Sequence, residues 1–137
     1  MSSLTSALAA ALQNDSTISP LITGVIPGRN FDLQDAMLAS SPYACIGLRD
    51  LLIIDTPYFG TRTNGNKLTS GQFEVRCIAK TEIGAKDLAE AVKTFLWSTR
   101  AVSWDGSTIT LGISSIRQDS DANDELTTFL EILTCDY

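Results

Sequence analysis

The hydroxyl and thiol groups of this chain have no imidazole to activate them. It contains no histidine, which removes the usual base of a Ser/His or Cys/His nucleophile. Cys45, Cys77 and Cys135 are far apart and form no CxxC pair, so a zinc cluster is not expected either. Each sits in an apolar alternating segment and is read as a reduced core residue of a cytosolic product. The run DSDANDE, with Asp119, Asp121, Asp124 and Glu125, has the outline of a calcium loop. An EF-hand loop needs a glycine at its sixth position and helices on both sides; here Ala122 and Asn123 interrupt the acids and strands flank them. Gly60, Gly65 and Gly71 are spread along a hairpin instead of lying between a strand and a helix, so they make no phosphate cradle. No catalytic, cofactor-binding or metal-ligating residue is expected, and the chain is read as a non-enzyme.

What remains is contact chemistry. Between Asp55 and Gly71 runs TPYFGTRTNGNKLTS, rich in Thr, Gly and Asn. Asn64-Gly65 suits the two positive φ angles of a type I′ turn, so the stretch reads as the tip of a projecting β-hairpin arm, approximately residues 56–70. With Asn64 and Gly65 as the turn, Thr63 faces Asn66, Arg62 faces Lys67 and Tyr58 faces Gly71. Like charges opposite one another weaken a hairpin, and an acidic neighbour would relieve that repulsion. Tyr58 and Phe59 are candidate aromatic anchors at the base of the arm. The candidate interface is therefore Tyr58, Phe59, Arg62, Thr63, Asn64, Gly65, Asn66 and Lys67, with Asp119, Asp121, Asp124 and Glu125 as the acidic surface it would meet.

Charge patterning supports that pairing. The chain carries 16 acidic and 10 basic residues, net −6, which argues against a nucleic-acid backbone as the main partner. Residues 56–80 nevertheless hold Arg62, Lys67, Arg76 and Lys80 against Glu74 alone, whereas residues 117–137 hold Arg117 against six acids. Opposite ends of this kind suit head-to-tail contact between identical subunits.

The elements that position these residues follow from periodicity. Leu4, Leu8 and Leu12, with Ala7 and Ala11 alongside, predict an amphipathic helix over residues 3–13, ended by Asn14, Asp15 and Ser16. Ile18 to Pro27 reads as an irregular apolar connection. In residues 28–41, Leu33, Met37 and Leu38 suit either a helical turn or a covering loop. Pro42 announces a strand from Tyr43, and Leu51 to Ile54 either continues it past a break at Arg49-Asp50 or forms a second strand. Phe73, Val75, Cys77 and Ala79 alternate as a half-buried strand. Residues 85–98 predict a helix with Leu88, Ala91, Val92, Phe95 and Leu96 inward. Val102 to Leu111 forms a hairpin about Asp105-Gly106, with Gly112 as a candidate bulge. A polar loop, QDSDAND, leads to a last strand, Leu126 to Tyr137, apolar on both faces and so expected either centrally or between a core and a subunit contact. At 137 residues and 44% hydrophobic, the length suits one domain spanning residues 1–137. The fold class is α+β: a mainly antiparallel sheet, two principal helices packed on it, and the projecting arm. No basic residue precedes Arg29 and no apolar run is long enough for a signal peptide or membrane span.

The opening helix LTSALAAALQND, the Pro42-Tyr43 strand entry, the strand QFEVRCIAK, the helix AKDLAEAVKTFLW and the closing strands together resemble the tail terminator, or tail completion, family of long-tailed bacteriophages. The resemblance is one of pattern and order over nearly the whole chain. It implies a structural virion protein at the tail–neck junction, made in the host cytoplasm and assembled as a homo-oligomeric ring, generally a hexamer. The ring would cap the tail tube, end its polymerisation and join the tail to the neck and head. Implied partners are the tail tube protein, a neck or connector protein and, in a contractile tail, the sheath protein. DNA would meet it only in passage through the lumen. No catalytic residue is shared within that family, so only positions carry over: the arm around Asn64-Gly65 as an intersubunit or tube-facing contact, and the second helix as a ring-packing or core element. Two other readings compete, a head-tail adaptor or stopper ring, and a small cytosolic module that binds a peptide or ligand.

Overall fold

The computed structural model describes residues 3–28, 31–57, 67–123 and 128–137. The leucine repeat winds α1 (Ser3–Asn14), and Leu4, Ala7, Leu8 and Leu12 are buried on its inner face as the spacing requires. Asp15 stops it: its carboxylate accepts the backbone N–H groups of Thr17 and Ile18 at 3.0 and 3.1 Å, the local side-chain turn that competes with helix. A 3-10 turn (Ser19–Leu21) leads to a short strand, β1 (Val25–Pro27). The connection expected to be irregular thus contains a strand, too short at three residues to show a period. Residues 28–41 contain a helix, α2 (Phe31–Ala39), which seats Leu38 and Met37 against Cys45, Ile78 and Ile26.

The two apolar runs after Pro42 are one strand, β2 (Ala44–Pro57), paired antiparallel with β3 (Lys67–Ala79). The interruption read at Arg49-Asp50 is a register shift between Asp50 and Leu52 that leaves Leu51 without an opposite number. Such a bulge bends and twists a strand without ending it. The long helix, α3 (Glu82–Ser98), begins earlier than its apolar periodicity suggested, because Thr81 caps it by accepting the Gly84 N–H at 3.0 Å. Its buried positions are Ala85, Leu88, Ala89, Val92 and Leu96; Ala91 and Phe95 are only partly covered.

β4 (Ala101–Trp104) and β5 (Ser107–Thr110) form the expected hairpin, with positive φ at Asp105 and Gly106. Alternation does not continue through Gly112, since residues 111–114 belong to no strand. The polar run expected as a loop is instead a strand, β6 (Ser115–Asn123), hydrogen-bonded along its length to β7 (Thr128–Asp136). A rim strand needs no apolar alternation when most of its surface meets water.

The main sheet has the order β1-β2-β3-β7-β6, with β1 parallel to β2 and every other pairing antiparallel. Helices α1 and α3 cover one face, over Ile46, Leu48, Phe73, Val75, Cys77, Leu133 and Cys135. Helix α2 covers part of the other. The architecture is α+β; β7 carries apolar residues on both faces as expected but lies between β3 and the rim strand β6, while the central strand is β3.

Candidate assembly interface

The hairpin of β2 and β3 outgrows the body of the protein. Beyond Gly71 no third strand accompanies it among the described residues: β7 pairs with β3 only from Gln72 to Ala79, and β1 reaches β2 only at Ile46, Gly47 and Leu48. Where the hairpin leaves the sheet lie Leu51, Leu52, Ile53 and Ile54 in succession, all exposed, Leu52 by 51% and Ile54 by 46%; Leu52 stands opposite Gln72 and Ile53 opposite Gly71, so the run starts level with the end of β7 and enters the two-stranded stalk at Ile54. Successive strand residues point to opposite faces, so the root of the stalk is apolar on both. A two-stranded ribbon is marginal alone in water, and a contiguous exposed aliphatic surface marks a contact site. The stalk is fastened near its base by the Thr69 hydroxyl donating to Asp55 at 2.8 Å and by close approach at Gly71, where a Cβ would come within 2.1 Å of the Leu52 carbonyl oxygen.

The sequence placed the contact residues at the tip. Tyr58, Phe59, Arg62, Thr63, Asn64, Gly65 and Asn66 lie outside the described residues; Lys67 opens β3. The register expected for the hairpin is not the one found. Lys67 stands opposite Pro57 rather than Arg62, and Gly71 opposite Ile53 rather than Tyr58. The ladder that begins in the core, together with the bulge at Leu51, sets the register, and the Asn-Gly pair does not override it. The proposed Arg62–Lys67 repulsion therefore has no basis in this pairing. What sequence reasoning missed is the stalk itself. Its signal was an unbroken LLII run directly before a turn-rich stretch, which is the pattern of a strand covered on both faces, yet none of the described residues covers it.

On the acidic side, Asp119 and Asp121 are exposed on the rim strand β6, while Asp124 and Glu125 lie outside the described residues. Asp119 is 3.7 Å from Arg117, and Asp121 accepts the backbone N–H of Ala122 at 2.8 Å. Asp136, next to β6, accepts from Ser115 at 2.6 Å and from Gln72 at 2.8 Å; these hydrogen bonds hold its carboxyl below the usual range.

Part of the charge polarity read from the sequence is internal. Glu74 and Arg76 are 6% and 7% exposed, and Arg49 donates to Glu74 at 2.5 Å, with Arg76 3.9 Å from the other carboxylate oxygen. Arg76 also donates to the Gly28 carbonyl at 2.9 Å, across Gly47, whose lack of a side chain makes room for the guanidinium. Glu131 is 2% exposed and accepts from Ser120. It lies against a cleft of about 390 Å³ between the start of α3 and β6–β7, edged by Glu82, Lys86 and Phe129. The surface polarity is thus narrower than the counts implied, with β6 as its described acidic part.

The three thiols are buried and free. Burial pushes Cys45 and Cys135 up to about 12 and raises Cys77 as well, Glu131 adding to the last, so they are poor nucleophiles. Among the described residues no three His, Cys, Asp or Glu side chains are grouped to hold a metal ion. No helix among them is long and apolar enough to cross a membrane. No family model matches the chain, and no curated protein matches it.

Proposed function

We propose that the protein is a ring-forming structural component of a long-tailed bacteriophage virion, a tail terminator that caps the tail tube and joins it to the neck. The observation that carries this reading is the stalk: Leu51, Leu52, Ile53 and Ile54 stand exposed where a two-stranded extension leaves the sheet, and among the described residues nothing covers them. A surface of this kind is stable only when another molecule covers it. The acidic rim at Asp119 and Asp121 gives a second, chemically different surface on the same subunit. Two unlike surfaces that meet head to tail generate a ring whenever the rotation between copies closes. The tail-terminator reading itself rests on the order of elements and on the resemblance they carry. In such a ring the net charge of −6 would favour passage of DNA without adhesion.

The test is to add purified protein to growing tail tubes. A terminator halts elongation and sits at one end of each tube; a neck adaptor binds no tube and leaves elongation unchanged. Continued growth with no terminal density would refute the terminator reading.

A further inference from the structure

Among the described residues two rims of the main sheet stand open, and their positions fit each other. Gly71 exchanges both backbone hydrogen bonds with Tyr137, at 2.9 and 3.0 Å. It therefore turns none toward β2, and its opposite number Ile53 directs its own N–H and C=O away from β3, because bonded and non-bonded pairs alternate along an antiparallel ladder. Pro57 occupies an outward position of the same parity, where no N–H is required. At the far rim, Gln118 stands opposite Leu133, which shares the parity of Tyr137 and bonds toward β3. The backbone groups of Gln118 and Ser120 accordingly point outward from the sheet.

We propose that the distal edge of β2 in one copy adds antiparallel to β6 of a second copy, so that the ring is held by one continuous sheet. This rests on the ring reading above and names the contact that makes it. The strands β2, β3, β7 and β6 alternate in direction, so β6 runs opposite to β2, and a second copy in the same orientation brings the two together antiparallel. Each edge offers a backbone ladder, and β6 brings Asp119 and Asp121 to the strand pair that Lys67 opens.

The stagger is also compatible with closure. In register, β6 lies level with β2 from Leu52, through Gln72, Asp136 and Ser115, to Ala44, through Ala79, Phe129 and Ala122. The open edge of β2 lies beyond Leu48. Bringing the two edges together moves the neighbour about 20 Å along the strands at roughly 3.3 Å per residue, and about 19 Å across four strands at roughly 4.8 Å each. A step of equal rise and width closes into a ring if the strands tilt by about 45° to its axis, within the roughly 35–45° of closed barrels.

The experiment combines an edge block with a cross-link. Gln118→Pro removes an outward N–H and leaves the β6–β7 ladder bonds in place. Ile54 and Asp119 share the sheet face opposite α1 and α3, so mixing Ile54→Cys protein with Asp119→Cys protein under mild oxidation tests their approach. The native thiols are buried and do not compete. The proposal expects native mass spectrometry to show rings for the unaltered chain, an at least tenfold lower ring population for Gln118→Pro at unchanged melting temperature, and a disulfide-linked heterodimer. If Gln118→Pro does not fold, the cross-link decides. Undiminished Gln118→Pro rings, with no cross-link from Ile54→Cys to Arg117→Cys, Asp119→Cys or Asp121→Cys, overturn the proposal while the ring reading stands. A chain that stays monomeric even with tail tubes present overturns both.

Discussion

Glu74 holds two guanidinium groups within the sheet, Arg49 at its side and Arg76 beneath the Gly28 carbonyl. Removing the carboxylate strands a buried cation, so Glu74→Ala should lower unfolding stability by about 3–5 kcal/mol, read from denaturant midpoints. A loss below about 1 kcal/mol would show that water already screens the cluster. Gly71 is constrained differently, by a backbone oxygen where its Cβ would be, and Gly71→Ala should cost about 1–3 kcal/mol through the forced shift. The thiols give a pH prediction. Cys45 and Cys135 stay protonated in the fold up to about 12, against an ordinary 9.0. Above about pH 9 the unfolded chain binds fewer protons than the folded one, so stability falls as pH rises. Denaturant midpoints at about pH 8 and pH 10 check this; a rise would contradict it. The burial of all three cysteines was legible from alternation alone. The Glu74 cluster was not, because Glu74 and Arg76 occupy the polar phase of the same alternating strand and their partner Arg49 is distant in sequence.

In the proposed ring the stalk would join the fold of one element to the assembly of many copies. Its exposed aliphatic side chains add little to the fold of a single copy, since substitutions at exposed positions usually change stability by no more than about 0.5 kcal/mol. Leu52→Ser with Ile54→Ser should leave the melting temperature nearly unchanged and reduce oligomer formation in sedimentation. An unfolded double variant would mean that the stalk is part of the core. The strand, the hairpin and the two long helices were readable because each has its own period: Leu4, Leu8 and Leu12 for α1, Phe73 to Ala79 for β3, Asp105-Gly106 for the second turn. β1 and β6 were not, for a common reason. Neither has a hydrophobic period, and each is a strand only because a neighbour offers it a backbone ladder. The hairpin register failed likewise, since the bulge at Leu51 leaves no mark in residue type.

At the scale of the whole molecule, the sheet carries two different rims that the described residues leave open, one apolar and extended, one acidic. Asp119 and Asp121 lie on the surface, whereas Glu131, Glu74 and Arg76 are enclosed. In the proposed ring only the first group would act between copies. Asp119→Lys with Asp121→Lys should therefore weaken association and its salt dependence, while leaving the fold intact; unchanged association at low salt would remove the acidic rim from the interface. The most direct measurement of the central claim is electron microscopy of the purified chain mixed with tail tubes. The account predicts rings, each seated on one end of a tube whose length no longer increases. Monomers beside open, lengthening tubes would contradict it.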